Sequence, residues 1–513
     1  MAQELEIKLE LSKEAADRVA ALPWLRELAS GPAKTENLVS VYFDTKRRKL
    51  RSRGLSLRVR HVRDRRIQTI KAESSGLTRD EWEQDISGDV PDLDLIDETA
   101  PKKLKSRKLR RKLQPLFETV VERTTMSIDQ NGSLLNLAID RGAVRAGTRQ
   151  QPINEVEIEL KKGDPSAVTA LAERLSRSEP VSFGVQSKSE RGYALLSEAA
   201  GQPFHTPRVV LDPDATTGRA FTTIGLSCLK QILSNQEAVI RGDTEGIHQM
   251  RVGTRRLRAA ISLFRRLLTD PMAETIKNDL KWLTDALGPA REYDVLIEEH
   301  VTPLQEAEPE TSELRSLGKE LQDRRKHSIA RAGEAVRSER FRKLGLNTAL
   351  WLVDGAWLRS DDTQVRGCRD GSAIDFAAET FGRRSRKIHK TLEDLVKLAP
   401  RRRHKLRIAI KKLRYATGFF ASLFDGGKQT EQRKSYQKAL KRLQGTLGIL
   451  NDITVHRQIA RSVTHPDRRT QTTQDQAFAV GIVAGTERTE VEASLAEAKE
   501  ARRELAAAKP FWR

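Results

Sequence analysis

"ELEIKLEL", Glu4–Leu11, alternates strictly. Leu5, Ile7, Leu9 and Leu11 fall on one side of an extended strand, and Glu4, Glu6, Lys8 and Glu10 on the other. The same period of two recurs in LSLRVRHV (55–62), IQTIKAE (67–73), TRDEWEQDI (78–86) and INEVEIELKK (153–162). Together these strands carry charges of both signs on their polar faces. Such faces either meet water or turn inward to line a polar barrel. Shorter helical patterns interrupt the strands over 12–29, 101–117 and 165–178, the first with Ser12 placed to cap it.

Outward from there the period changes. GQPFHTPRVVLDPDATTG (201–218) has turn chemistry and neither period, and reads as a linker. Beyond it the pattern is helical to the end of the chain. The organisation expected is therefore α+β and multidomain: a strand-rich domain over 1–200, the linker, and an all-α domain over 219–513.

The helical part repeats itself. HQMRVGTRRLRAAISLFRRLL, from His248, aligns without a gap on HKLRIAIKKLRYATGFFASLF, from His404. His248 meets His404, Arg251 meets Arg407, Arg255 meets Lys411, Arg256 meets Lys412 and Arg258 meets Arg414. LGPAREYDV (287–295) likewise answers LGILNDITV (447–455). At about 100° per residue, Leu406, Ala409, Ile410 and Leu413 form one apolar face, with His404, Arg407, Lys411 and Arg414 on an adjoining stripe. Like charges three and four residues apart repel. An anion lying along the stripe relieves that repulsion.

The 513 residues hold 92 Lys and Arg against 71 Asp and Glu, a formal net charge of +21. Residues 1–200 account for +5 of it and 201–513 for +16. This balance favours a polyanionic partner. Aromatic residues are 5% of the chain. That is poor in the stacking platforms single-stranded nucleic acid needs, so nucleic acid is not expected as a specific ligand. Cys228 and Cys368 form no short-spaced pair, which indicates neither a disulfide scaffold nor a zinc site. No signal-peptide core and no membrane-length apolar run is read, and a cytoplasmic location is the expectation.

The doubled H-x-x-R-x-x-x-[RK]-[RK]-L-R motif resembles the CHAD domain, over about 220–510. The resemblance implies two pseudo-symmetric helical bundles that bind inorganic polyphosphate. It implies phosphate contacts from His248, Arg251, Arg255, Arg256 and Arg258, and from His404, Arg407, Lys411, Lys412 and Arg414. Lys411 and Lys412 stand where the first copy has Arg, keeping the charge and losing the bidentate fork.

In the N-terminal part, carboxylates suit Mg²⁺ or Mn²⁺ and interspersed Lys and Arg suit a phosphate chain. The E-x-E-x-K opening, VYFDT (41–45), LRVR (57–60), TIK (69–71), RDEWE (79–83), AIDRG (138–142), EVEIE (155–159) and SKSERGY (187–193) resemble, in that order, the CYTH family of triphosphate tunnel metalloenzymes. The resemblance implies an antiparallel β-barrel tunnel. It implies metal ligation by Glu4, Glu6, Glu157 and Glu159, with Asp140 and Glu155 less firmly placed. Lys8, Arg58, Arg60, Lys71, Arg123, Lys188 and Arg191 would grip the triphosphate, and Lys8, Glu6 and Glu157 would be catalytic. Arg79, Glu81 and Glu83 are implied as ligand contacts or internal ion pairs.

CYTH followed by CHAD in one chain resembles bacterial inorganic triphosphatases. The expectation is hydrolysis of inorganic triphosphate to diphosphate and phosphate, with the helical domain holding the protein near polyphosphate or its granules. The alternatives are a non-catalytic polyphosphate-binding protein, or a CYTH enzyme acting on ATP as an adenylate cyclase or on thiamine triphosphate.

Overall fold

The structure is a computed structural model. It describes residues 5–72, 80–96, 99–101, 104, 106–197, 201–393, 395, 398–463, 493–494 and 496–513. The chain divides into two compact units. The first comprises Met1–Gln202 with Glu339–Gly355, and the second Pro203–Ser338 with Ala356–Arg513. A stretch far along the chain thus belongs to the N-terminal unit.

That unit is built on nine antiparallel strands: β1 (Glu6–Glu10), β2 (Lys34–Thr45), β3 (Leu55–Val62), β4 (Arg65–Ala72), β5 (Glu81–Ile86), β6 (Leu113–Gln130), β7 (Ser133–Ala146), β8 (Arg149–Lys162) and β9 (Ser182–Phe183). They pair in the order β5-β4-β3-β2-β6-β7-β8-β1-β9. Period two does what the sequence implies. Ile7, Leu9, Leu137, Ile139, Val156 and Ile158 are fully buried on one face. Helices Lys13–Ala21 and Ser166–Ser178 pack on this part of the sheet with their own buried Ala16, Val19, Val168 and Leu171. Ser12 caps the first helix, accepting from the Ala15 amide at 3.2 Å.

The charged residues take the opposite face, and the sheet curls around them. Glu6 on β1 and Lys71 on β4 are six ladder steps apart, roughly 29 Å along a flat sheet, yet burial and Arg58 lower the Lys71 ammonium with Glu6 near enough, after Glu81, to oppose them. The curl stops short of closure. The expected barrel is an open sheet with β5 and β9 at its edges. Closure needs two long edge strands to pair. β9 is two residues long, and helix Glu339–Asp354 packs beside it.

The helix expected over 101–117 is a second correction. Among the described residues only Arg107–Arg110 is helical, and β6 begins at Leu113. A run of like charges opposes helix propagation. Pairing of Leu113 and its successors with β2 supplies a better use for the backbone.

The second unit is helical. Among the described residues it contributes no strand to the sheet. Repeat helices Thr244–Leu263 and Pro400–Phe419 pack on each other, burying Met250 and Leu257 from the first and Leu406, Ile410 and Leu413 from the second. Among the described residues, no helix is long and apolar enough to cross a membrane.

Helix Glu339–Asp354 buries Phe341, Leu344, Trp351 and Leu352. It contacts β9 and helix Ser166–Ser178, with Thr169 Oγ1 donating to Asp354 at 2.5 Å. A polypeptide ending at residue 202 lacks this cover. It is expected to melt lower than the same polypeptide fused to residues 339–355, as read by circular dichroism. Equal melting of the two would show the helix to be dispensable.

Candidate functional site

Register brings the charged residues together. Lys8 lies opposite Glu157 and Glu10 opposite Glu155 across β1–β8. Asp140 lies opposite Glu155 across β7–β8, and Arg123 opposite Asp140 across β6–β7. Further round, Arg58 faces Tyr42 and Thr69, and Lys71 faces Glu81.

Helix Lys188–Leu196 crosses this face. Its start is fixed by a capping box: Ser187 Oγ accepts from the Glu190 amide, and Glu190 Oε2 accepts from the Ser187 amide at 2.8 Å. Gly192 allows the approach, since a Cβ there would lie 2.1 Å from the Phe117 ring. Tyr193 packs edge-on to Phe117, which stacks on Tyr42, and its hydroxyl donates to buried Asp44 at 2.9 Å.

So placed, the helix sends two cations into the sheet. Lys188 Nζ lies 2.6 Å from Asp140 and 2.9 Å from Glu157, and pairs with Glu155 as well. Arg191 reaches Glu10 at 2.6 Å and Glu155 at 3.2 Å. Lys8 reaches Glu155 and Glu157 at 3.3 and 3.2 Å. Arg123 holds Asp140 with two bonds of 2.6 Å and Glu157 with one of 2.5 Å. Asp140 and Glu155 are fully buried.

The other wall is basic. Lys71 is 2.7 Å from Glu81, and Arg58 is 3.8 and 3.7 Å from Glu81 and Glu83. Arg60 has a Ser40 hydroxyl at 3.4 Å and no ion-pair partner among the described residues.

In the second unit Arg256 donates to Gln231, Lys412 to Ser262 and Arg414 to Gln444. Arg258 and His404 are exposed, and Arg255, Arg407 and Lys411 half-buried. Arg251 turns inward to the carbonyls of Leu287 and Gly288, the first at 3.2 Å.

Residues 2–193 match the CYTH domain and residues 223–461 the CHAD domain. The chain is a CYTH domain followed by a CHAD domain. It is similar to an inorganic triphosphatase of Haemophilus influenzae, 29% identical over 209 residues, which are 39% of this chain and 56% of that protein. A Mycobacterium tuberculosis protein is 26% identical over 212 residues, 40% of this chain and 39% of that one. The matches thus span little more than half of the first relative's length and less than half of the second's. The CHAD domain of the plant Ricinus communis is 29% identical in its crystal structure, with TM-score 0.51, covering 60% of this chain and 97% of that domain.

Of the residues expected as metal ligands in the CYTH unit, Glu157 and the two less firmly placed ones, Asp140 and Glu155, converge. One oxygen of each lies within 4.8 Å of the others. Glu6 lies opposite Glu159 across β1–β8, and Lys161 is 2.5 Å from Glu159. Glu4 and Arg79 lie outside the described residues. The trio suits a hard divalent cation, because all its donors are carboxylate oxygens.

The electrostatics follow from this packing. Burial pushes the Glu157 carboxyl up, but Lys188, Arg123 and Lys8 together hold it well below the usual carboxylate range. Burial pushes Lys188 down, and Asp140, Glu155 and Glu157 more than reverse it. Burial, Arg58 and Arg123 push Arg60 down to about 10. Burial raises the Tyr42 phenol, whereas Arg58, Lys188 and Arg60 bring it below its ordinary value.

In the CHAD unit burial, Arg255 and Arg291 push Arg251 down to about 10, against Glu292. Burial lowers Lys412 too, with Arg384, Arg258 and Arg265 adding to it. Arg384 is itself lowered by burial, Arg383 and Arg265. Sequence reasoning missed Arg265, Arg383 and Arg384, although FGRRSRKIHK (381–390) is a visible basic run.

Lys188 fills the space among three carboxylates, Asp140 and Glu155 fully buried and Glu157 partly so. Lys188→Met is expected to cost the cation-free protein about 3 kcal/mol. Mg²⁺ is expected to restore more stability to it than to the parent. Urea unfolding with and without Mg²⁺ checks this, and an equal Mg²⁺ increment in both proteins would refute it.

Proposed function

We propose that the CYTH unit hydrolyses inorganic triphosphate to diphosphate and phosphate with Mg²⁺ or Mn²⁺, and that the CHAD unit binds inorganic polyphosphate. One observation carries the first part. A buried carboxylate trio and a cationic wall with Arg60 unneutralised line a single curled sheet, which matches the two halves of a metal–phosphate complex. The similarity to an inorganic triphosphatase supports the substrate class.

On this reading Lys188 yields its place among Asp140, Glu155 and Glu157 to the cation. When bound it would neutralise the phosphate chain and make an attacking water more acidic. Arg58, Arg60 and Lys71 take the phosphate oxygens. Their charges then face ligand instead of each other, which reverses the cost now visible at Arg60. Lys8, beside Glu155 and Glu157, orients water or leaving group. Water adds to the terminal phosphorus, the bridging P–O bond breaks in line, and diphosphate departs with the electron pair. The proton of the water leaves with phosphate or to solvent.

In the CHAD unit burial, Arg384, Arg258 and Arg265 all disfavour the Lys412 charge. A chain of phosphates removes that penalty, and 5% aromatic content fits a ligand without bases.

Phosphate release from triphosphate, ATP, thiamine triphosphate and long polyphosphate, with metal and with chelator, tests the reading. Triphosphate turnover is expected to need the metal and to fall at least ~100-fold in Glu157→Gln. Preference for a nucleotide would move the substrate to ATP or thiamine triphosphate. No turnover with polyphosphate still bound would make the chain a receptor.

For the CHAD unit, Arg258→Glu with Lys412→Glu is expected to weaken long-chain polyphosphate binding about tenfold or more and to flatten its salt dependence. Unchanged binding by calorimetry would remove this cluster from the ligand site.

A further inference from the structure

The ladder between β2 and β6 ends with Asp44 opposite Gln114 and Thr45 opposite Leu113. The loop leaving β2 and the segment entering β6 therefore begin side by side. The first reads KRRKLRSR (46–53) and the second RKLRRK (107–112), with six and five cations and no carboxylate. Their apolar residues, Leu50 and Leu109, sink into one core cluster and leave the charged residues around them at the surface.

Few of these cations are neutralised. Arg110 pairs with Asp94, and Arg51 lies over the Tyr193 ring at 4.8 Å. The other nine have no carboxylate partner among the described residues. Several arginines elsewhere on the same unit behave differently: Arg65 pairs with Asp85, half-buried Arg141 with Asp17 and Arg18 with Glu179.

So many like charges in one loop should splay it. Buried Asp44 prevents that. Its carboxylate accepts from the amides of Thr45, Leu50 and Arg51 at 2.6, 2.9 and 3.1 Å, and from the Tyr193 hydroxyl. The loop is thus shaped through its backbone, and its side-chain charges remain available. Arg48, at φ 52, makes the tight turn.

We infer that this rim, residues 46–53 with 107–112, is a binding site for a condensed inorganic phosphate chain on the CYTH unit itself, separate from the curled-sheet site and the CHAD clusters. Nothing in either segment is aromatic, so bases would find no stacking surface there. Lys and Arg alone match phosphate oxygens. The rim also adjoins the inner site, because Arg51 rests on the Tyr193 of the helix that carries Lys188 and Arg191 inward. The inference does not require that site to be catalytic.

The test uses the full chain with the CHAD cluster reversed (Arg258→Glu, Lys412→Glu) as background. Long-chain polyphosphate binding is measured by calorimetry across a salt series. The same is done after adding Arg47→Glu, Lys49→Glu, Lys108→Glu and Arg111→Glu. The background should keep salt-sensitive binding, and the four reversals should weaken it about tenfold or more and flatten the salt slope. A set of Gln replacements at the same four positions carries the test if the reversed set melts early. No binding in the background, or binding indifferent to both sets, overturns the inference. An oligoribonucleotide of equal phosphate number binding the background as tightly would overturn it in favour of RNA.

Discussion

Three carboxylates cannot be buried together without cations among them. Asp140, Glu155 and Glu157 place oxygens within 4.8 Å of one another. Each such pair repels by about 3 kcal/mol at an effective dielectric of ~20. No single strand can supply the answering charges. Lys8 comes from β1, Arg123 from β6, and Lys188 and Arg191 from the crossing helix. The curl of the sheet, the docking of that helix and the absence of a Cβ at Gly192 all serve this one neutralisation. It also explains why the polar face turns inward while Ile7, Leu9, Val156 and Ile158 turn toward the covering helices.

Periodicity could show which residues share a face, and here it did. ELEIKLEL and EVEIE identify the charged face because side chains alternate strictly along a strand. It could not show which residues on that face meet. Register and curl decide that, and they select Glu155 as the partner of Asp140 and Glu157 while leaving Glu6 facing Glu159. Closure is another long-range property. A two-residue β9 beside a helix from residue 339 onward has no local signature in the strands themselves.

The helical repeat was legible for the same reason, and what it leaves out is again long-range. The stripe of His404, Arg407, Lys411 and Arg414 follows from helical geometry. Arg251, in the matching stripe, is nevertheless turned onto the carbonyls of Leu287 and Gly288, which belong to a neighbouring helix. Conversely, Arg384 and Arg265, outside the motif, add to burial in lowering Lys412. A wheel drawn for one helix contains neither fact.

The two units hold their positive charge in opposite ways, and the difference has chemical consequences. In the CYTH unit most inner cations are already paired, so on the proposed reading an incoming phosphate exchanges partners with Glu81, Glu155 or Glu157, and the gain is a difference between two good interactions. Such exchange suits a site where ligand must also leave. In the CHAD cluster the cations meet chiefly one another, so an anion relieves repulsion outright and the gain grows with the number of phosphates engaged. On the proposed reading, the number of carboxylates interleaved with the Lys and Arg is what separates retention of a polymer from turnover of a short chain.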